Sequence, residues 1–446
     1  MRQGLLDHVR PTVAEPVAPV VLSEDEQTTA LMASVEDFNT FQQLDEENQR
    51  AHDIAIGLEN LALVSVGIEE ASNVHLGLID VSTELALAGT GIDTEEALPG
   101  LEEMAGTQVS VESIRDMVAA IWKSIQEGLV KMWKAISGFW KRITQAIPRI
   151  KESAESVKAK AAEMSGATQE EAKFKIGSEA QTLSVDYKTP SSGSDITESL
   201  NVLGALMDSF FGKQAKSLIA AGKDIADKIG SFDVSTVDAA DSSLAAVSAA
   251  TKGIDFNEVS KLAKTKVATN DKRFPKDAAV KSLSLVGNKS LFFTEEMAED
   301  STDTTLRLAE KHRALRVEIR ETDFNPKEVK KGDVEISTIS PEDVVTICDV
   351  VIKVCDSILD YDAKGLESTA DVIKKATSDL QKKHDAAAKA EDFSTEIRQY
   401  VLSAANFNVA YTRWSTKTSA TLTSLSVASC RAAITVARKS LSNYKK

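Results

Sequence analysis

The sequence predicts a mainly α-helical protein with a small antiparallel β portion, an α+β chain of long amphipathic helices that ends in a helical C-terminal region. Three observations point there. Apolar residues recur at threes and fours over long stretches, while period-two alternation is confined to short runs in the middle third. Pro and Gly are scarce, nine and 21 among 446 residues, which argues against a turn-dense all-β architecture. Hydrophobic residues make up 42% of the chain and aromatics only 5%, so its cores are mostly aliphatic. The length suits about two to four compact units.

Residues 1–112 form an acidic N-terminal region. It opens with Pro11, Pro16 and Pro19 and then Glu24-Asp25-Glu26, the composition of an extended or disordered arm. It has neither the apolar core of a secretory signal nor the Arg/Ser bias of a transit peptide, so synthesis in the cytoplasm is expected. From Ser34 to about Leu87 the pattern is helical, with Val35, Phe38, Phe41 and Leu44 recurring at threes. Pro99-Gly100 then breaks the chain.

The strongest local signal lies in the next segment, 113–165. Val118, Trp122, Ile125, Leu129, Met132, Ile136, Phe139, Ile143, Ile147 and Ile150 form a near-continuous apolar stripe at steps of three and four. Trp133 and Trp140 widen it. The opposite face is basic, with Lys123, Lys131, Lys134, Lys141, Arg142, Arg149 and Lys151 against a lone Glu127. Pro148 is expected to kink or end this helix.

Residues 166–339 read as a mixed α+β body. Lys173–Ile176 and Thr182–Val185 alternate as short strands around a turn, and KSLSLVGNKSLFFT at 281–294 sets two alternating runs about Gly287-Asn288, a hairpin signal. Alternation returns at Leu315–Ile319 and at Val334, Ile336 and Ile339, with helices from Ile196 to Lys266 between. The C-terminal region, 340–446, begins at Ser340-Pro341-Glu342-Asp343: an N-cap, a proline suited to the first helical position, and acids at the positive end of the dipole. Residues 362–390 read as an exposed, alternately charged helix and 393–444 as a long Ala/Ser/Thr-rich one.

Charge is distributed unevenly. The formal net charge is −16, from 52 basic and 68 acidic residues. Residues 1–112 hold three basic and 22 acidic side chains, a net of −19, which leaves +3 on everything after them. An acidic solvated domain explains this, and so does a segment with a separate fate.

No catalytic motif stands out, and no enzyme activity, cofactor or metal is expected. His8, His52, His75, His312 and His384 are scattered, without zinc-ligand spacing. Phosphate-loop, dinucleotide and nucleophile-elbow signatures are absent. Cys348 and Cys355 lie seven apart on one helix, so their Cα atoms sit about 10 Å apart, too far for a disulfide. They read as buried small hydrophobes. Dense basic–aromatic interleaving of the kind that reads nucleic acid is missing too, although the near-neutral body after residue 112 could lie weakly against packed DNA.

The acidic helical N-terminal region, the segment Ile121-Trp122-Lys123 through Phe139-Trp140-Lys141-Arg142, and the body with KSLSLVGNKSLFF and long Ala/Ser/Thr helices together resemble an internal head protein, an inner-body or prohead-core virion component of large myovirus-like tailed phages. That resemblance implies a non-enzymatic structural protein inside the capsid. Its partners would be other virion and prohead proteins, a prohead protease and, by weak non-specific contact, packaged DNA. Such proteases cut after Glu in short contexts. The matching positions are Glu24, Glu36, Glu102 and Glu112, and the last coincides with the charge boundary. A second reading, from a different class, is a membrane-active or effector-like protein. It would bind a membrane or partner through Trp122, Lys123, Lys131, Trp133, Lys134, Trp140, Lys141 and Arg142, shielded by the acidic region until release.

Overall fold

The computed structural model describes residues 111–267, 279–294, 302–313, 317–323, 334–387 and 394–445. Its first element is the predicted amphipathic helix, α1, Val111–Glu163. At 53 residues it is about 80 Å long. Pro148 lies inside it and does not end it. The buried stripe runs on through Ile136, Phe139, Ile143, Ile147, Ile150, Ala154, Val157 and Ala161, so packing holds the helix together where one backbone hydrogen bond is lost.

Short elements follow: β1 Thr168–Gln169, β2 Lys173–Ile176 and α2 Ser178–Thr182. The expected strand at Thr182–Val185 is not formed. Thr182 closes α2, and Val185 makes only isolated bridges to Lys188 and Val286. The partner of β2 is instead β7, Val334–Ser337, antiparallel and remote in sequence.

Helices α3 Gly193–Met207 and α4 Ala215–Gly230 are joined through one π-helical stretch, Asp208–Gln214, which turns Phe210 and Phe211 inward. Ser192 caps α3 in a reciprocal box with Asp195. Then come α5 Val237–Ala250, α6 Asn257–Leu262, β3 Thr265–Lys266, β4 Val280–Leu285, β5 Lys289–Thr294, α7 Thr305–Arg313 and β6 Val317–Glu321. Strands β3–β4–β5–β6 make an antiparallel sheet in sequence order. The predicted hairpin is its centre: Gly287 (φ 68°) and Asn288 (φ 57°) supply the two left-handed residues that a tight turn of matching twist requires. Asn288 is also anchored, its Oδ1 accepting from the Tyr187 N–H at 2.7 Å.

The C-terminal region is helical, as expected: α8 Pro341–Leu359, α9 Ala363–Ala387 and α10 Thr395–Leu441, closed by β8 Tyr444–Lys445, which pairs with β1. Ser340 caps α8, its Oγ accepting from the Asp343 N–H at 3.0 Å. Helix α9 is less exposed than its charge pattern suggests, since Leu366, Ala370, Ile373 and Leu380 are buried.

Helix α10 threads the middle of the molecule and touches α1, α2, α3, α4, α5, α7, α8, α9, β2 and β6. It is buried on nearly every side, and its Ser and Thr residues make that feasible. Thr412, Ser415, Thr416 and Ser419 return their hydroxyls to carbonyls one turn back, so these four enter the core satisfied, whereas the buried hydroxyls of Ser403, Thr423 and Ser426 meet no partner among the described residues. Among the described residues α10 is also the one helix long and apolar enough to cross a membrane, but 67% of its most apolar window is buried inside the protein. One contiguous cluster of buried apolar side chains runs from Ile136 to Leu441.

Candidate functional site

The residues singled out by sequence converge on α1. Its helical repeat puts Ile136, Phe139, Ile143 and Ile147 on one side, where they are all but inaccessible. Lys131, Lys134 and Lys141 fall on the opposite side and are exposed, with Arg142 half-buried beside them. Between Gly128 and Lys151 the chain carries no carboxylate at all.

Helix α8 neutralises the flank nearest it. Lys151 Nζ donates to Asp356 at 2.7 Å and Lys158 Nζ to Asp349 at 2.5 Å. Both lysines have their pKa raised, chiefly by those hydrogen bonds. No such pair forms at Lys131, Lys134 or Lys141 among the described residues. Lys134 instead borders a cavity of about 290 Å³ between α1 and α9, together with Trp133, Glu367, Asp371 and Lys374. At its wall Ser137 Oγ donates to Glu367 Oε1 at 2.8 Å.

The tryptophans divide between roles. Trp140 is only 8% exposed, with its ring 4.5 Å from that of Tyr361 and 6.1 Å, edge-on, from Phe211. It belongs to the core and presents little to any surface. Trp133 is half-buried against the same core. The side chains of Trp122 and Lys123 lie outside the described residues, as do Glu24, Glu36 and Glu102 altogether. Glu112 is the second residue of α1, and its side chain is likewise outside.

Elsewhere the titratable groups are tied into structure. Cys348, Cys355 and Cys430 are free thiols, all buried. Burial pushes Cys348 up to about 11, and contact with the Cys355 thiol together with burial raises Cys430 well above the ordinary range. Among the described residues no group of three His, Cys, Asp or Glu side chains could hold a metal.

Sequence reasoning missed one half-buried cation. Arg313, at the end of α7, donates to the Ser403 carbonyl at 2.9 Å and lies 5.5 Å over the Phe407 ring. Desolvation lowers its pKa to about 10. No local spacing could have announced a contact across 90 residues of sequence.

The arrangement is therefore a basic helix face fixed to a packed helical body, with chemistry suited to holding polyanions by charge. No curated protein and no solved structure matches this chain. A family model does, over residues 23–439: the chain belongs to the phiKZ-like phage internal head proteins, and its place is inside the phage capsid.

Proposed function

We propose that the chain enters the prohead with its acidic region attached, is cut after Glu112 by a prohead protease, and leaves a body that lies against packaged DNA through the lysine face of α1. The placement of Glu112 carries this reading. A cut there falls in the first turn of α1, removes a segment of net −19, and leaves intact the buried cluster of the described residues, whose first member is Ile136. The product is a body of net +3 whose exposed Lys131, Lys134 and Lys141 form no ion pair among the described residues. Removing the acidic segment lifts its repulsion of DNA as the head fills.

Intact-mass measurement of the protein recovered from purified particles tests the cut. The expected mass is that of residues 113–446, and a full-length mass refutes the processing. DNA contact is tested on the cut protein with random duplex DNA over a salt series. Changing Lys131, Lys134 and Lys141 together to Ala should weaken binding regardless of sequence and lower the salt slope by roughly three, about one per lost phosphate contact. An unchanged slope moves the DNA contact elsewhere.

A further inference from the structure

We propose that the cavity between α1, α9 and α10 is a binding site for a small zwitterion, which enters with a primary ammonium group foremost and leaves a carboxylate at the rim. The site needs neither the cut after Glu112 nor bound DNA.

The cavity, of about 290 Å³, holds one polar group that the fold leaves over. Asn408 of α10 is only 5% exposed, yet its side-chain amide makes no hydrogen bond among the described residues. It lines the cavity, and its polar atoms are not sealed off as Oδ1 of Asn406 is on the same helix. A buried amide without a partner forfeits its bonds to water with nothing in return. Aimed into a cavity, it marks the place of a ligand's polar atoms. The same cavity holds a carboxylate with spare capacity. Glu367 of α9 is half-buried and accepts from Ser137 on Oε1, which leaves Oε2 without a partner among the described residues. An amide oxygen and a carboxylate oxygen are both acceptors, and a primary ammonium, a compact set of N–H donors, satisfies them together.

The rim sets what that ammonium is attached to. Helical spacing puts Glu367, Asp371 and Lys374 on one face of α9, and Trp133, Lys134 and Ser137 on one face of α1. Lys134, Asp371 and Lys374 are exposed, and none forms an ion pair among the described residues. With Glu367, the lining carries two carboxylates and two ammonium groups, which cancel. A simple anion would meet both carboxylates, and a diamine would bring its second cation against both lysines. A zwitterion is answered at each end. Trp133 and Ala370 supply the wall along which a short methylene chain lies.

Ligand-observed NMR titration of the full-length protein without DNA, with γ-aminobutyrate as the probe, tests the site. Saturable binding is expected with a dissociation constant on the order of millimolar, a range suited to so small a ligand. Butylamine should bind about tenfold more weakly, putrescine no better than butylamine, and butyrate not at all. Glu367→Gln keeps an acceptor for Ser137 but removes the charge, and should weaken γ-aminobutyrate about tenfold. Asn408→Leu should weaken binding as well. Its thermal unfolding midpoint should stay at or above that of the wild type, because an unpaired polar group has given way to an apolar one of similar size. Butyrate or putrescine binding as tightly as γ-aminobutyrate overturns the proposal, as does the absence of saturable binding or an unchanged affinity in Glu367→Gln. So does a lowered midpoint in Asn408→Leu, which would assign the amide to the fold.

Discussion

A side-chain carbon placed on Gly222 would stand 2.5 Å from Cε2 of Tyr411 and 2.5 Å from Cγ2 of Thr369. Helices α4, α9 and α10 meet at this point, and only a hydrogen fits between them. Gly222→Ala should therefore destabilise the protein by about 1–2 kcal/mol: overpacking costs about 1–3 kcal/mol and the better helix propensity of Ala returns up to about 1. Urea denaturation should show a lower midpoint at unchanged slope. A midpoint at or above that of the wild type would mean that the three helices separate freely there.

The two tryptophans of α1 should respond differently to truncation. Trp140, buried between Tyr361 and Phe211, should cost about 3–5 kcal/mol on replacement by Ala. Trp133, which keeps part of its surface in solvent, should cost clearly less. Thermal unfolding of both variants makes the comparison, and equal losses would contradict the difference in burial.

Acid should weaken the start of α3. The Asp195 carboxylate accepts from the Ser191 N–H and hydroxyl, both at 2.8 Å, and these bonds hold its pKa below the ordinary 3.8. A lowered folded-state pKa stabilises fully above the unfolded value and is lost as pH falls through the folded one. Asp195→Asn should therefore cost stability near neutral pH, and the gap to wild type should shrink below about pH 3.8. Denaturation at both pH values checks it; a gap that widens in acid reverses the sign.

The three thiols should be silent until the fold opens. All are buried, and Cys355 and Cys430 face each other between α8 and α10. A small thiol reagent should titrate none in the native protein and three after denaturation. Rapid reaction of one thiol under native conditions would show that this helix interface is open to solvent.

Local chemistry made part of the fold legible. Gly287-Asn288 between alternating runs announced the β4–β5 turn, Ser340-Pro341 announced the start of α8, and the apolar stripe announced α1. What escaped depends on distant partners. Nothing near Lys173 says that its strand pairs with Val334–Ser337, and the alternating Thr182–Val185 run lost to a short helix whose end feeds the hairpin contact at Val286. Helix α9 reads as exposed because its lysines and aspartates are numerous, yet one strip of Leu366, Ala370, Ile373 and Leu380 is enough to seat it. At the candidate site the lysine face was visible in the sequence. Its division was not, because the acids that quench Lys151 and Lys158 belong to α8, about 200 residues later.

The central position of α10 sets an order of events during synthesis. Its 47 residues follow α1, α3, α4, α5, α8 and α9 in the chain, and until they are synthesised those helices have no common partner. The native core cannot close before α10 is made, and a polypeptide truncated before Thr395 would leave those apolar faces open to aggregation.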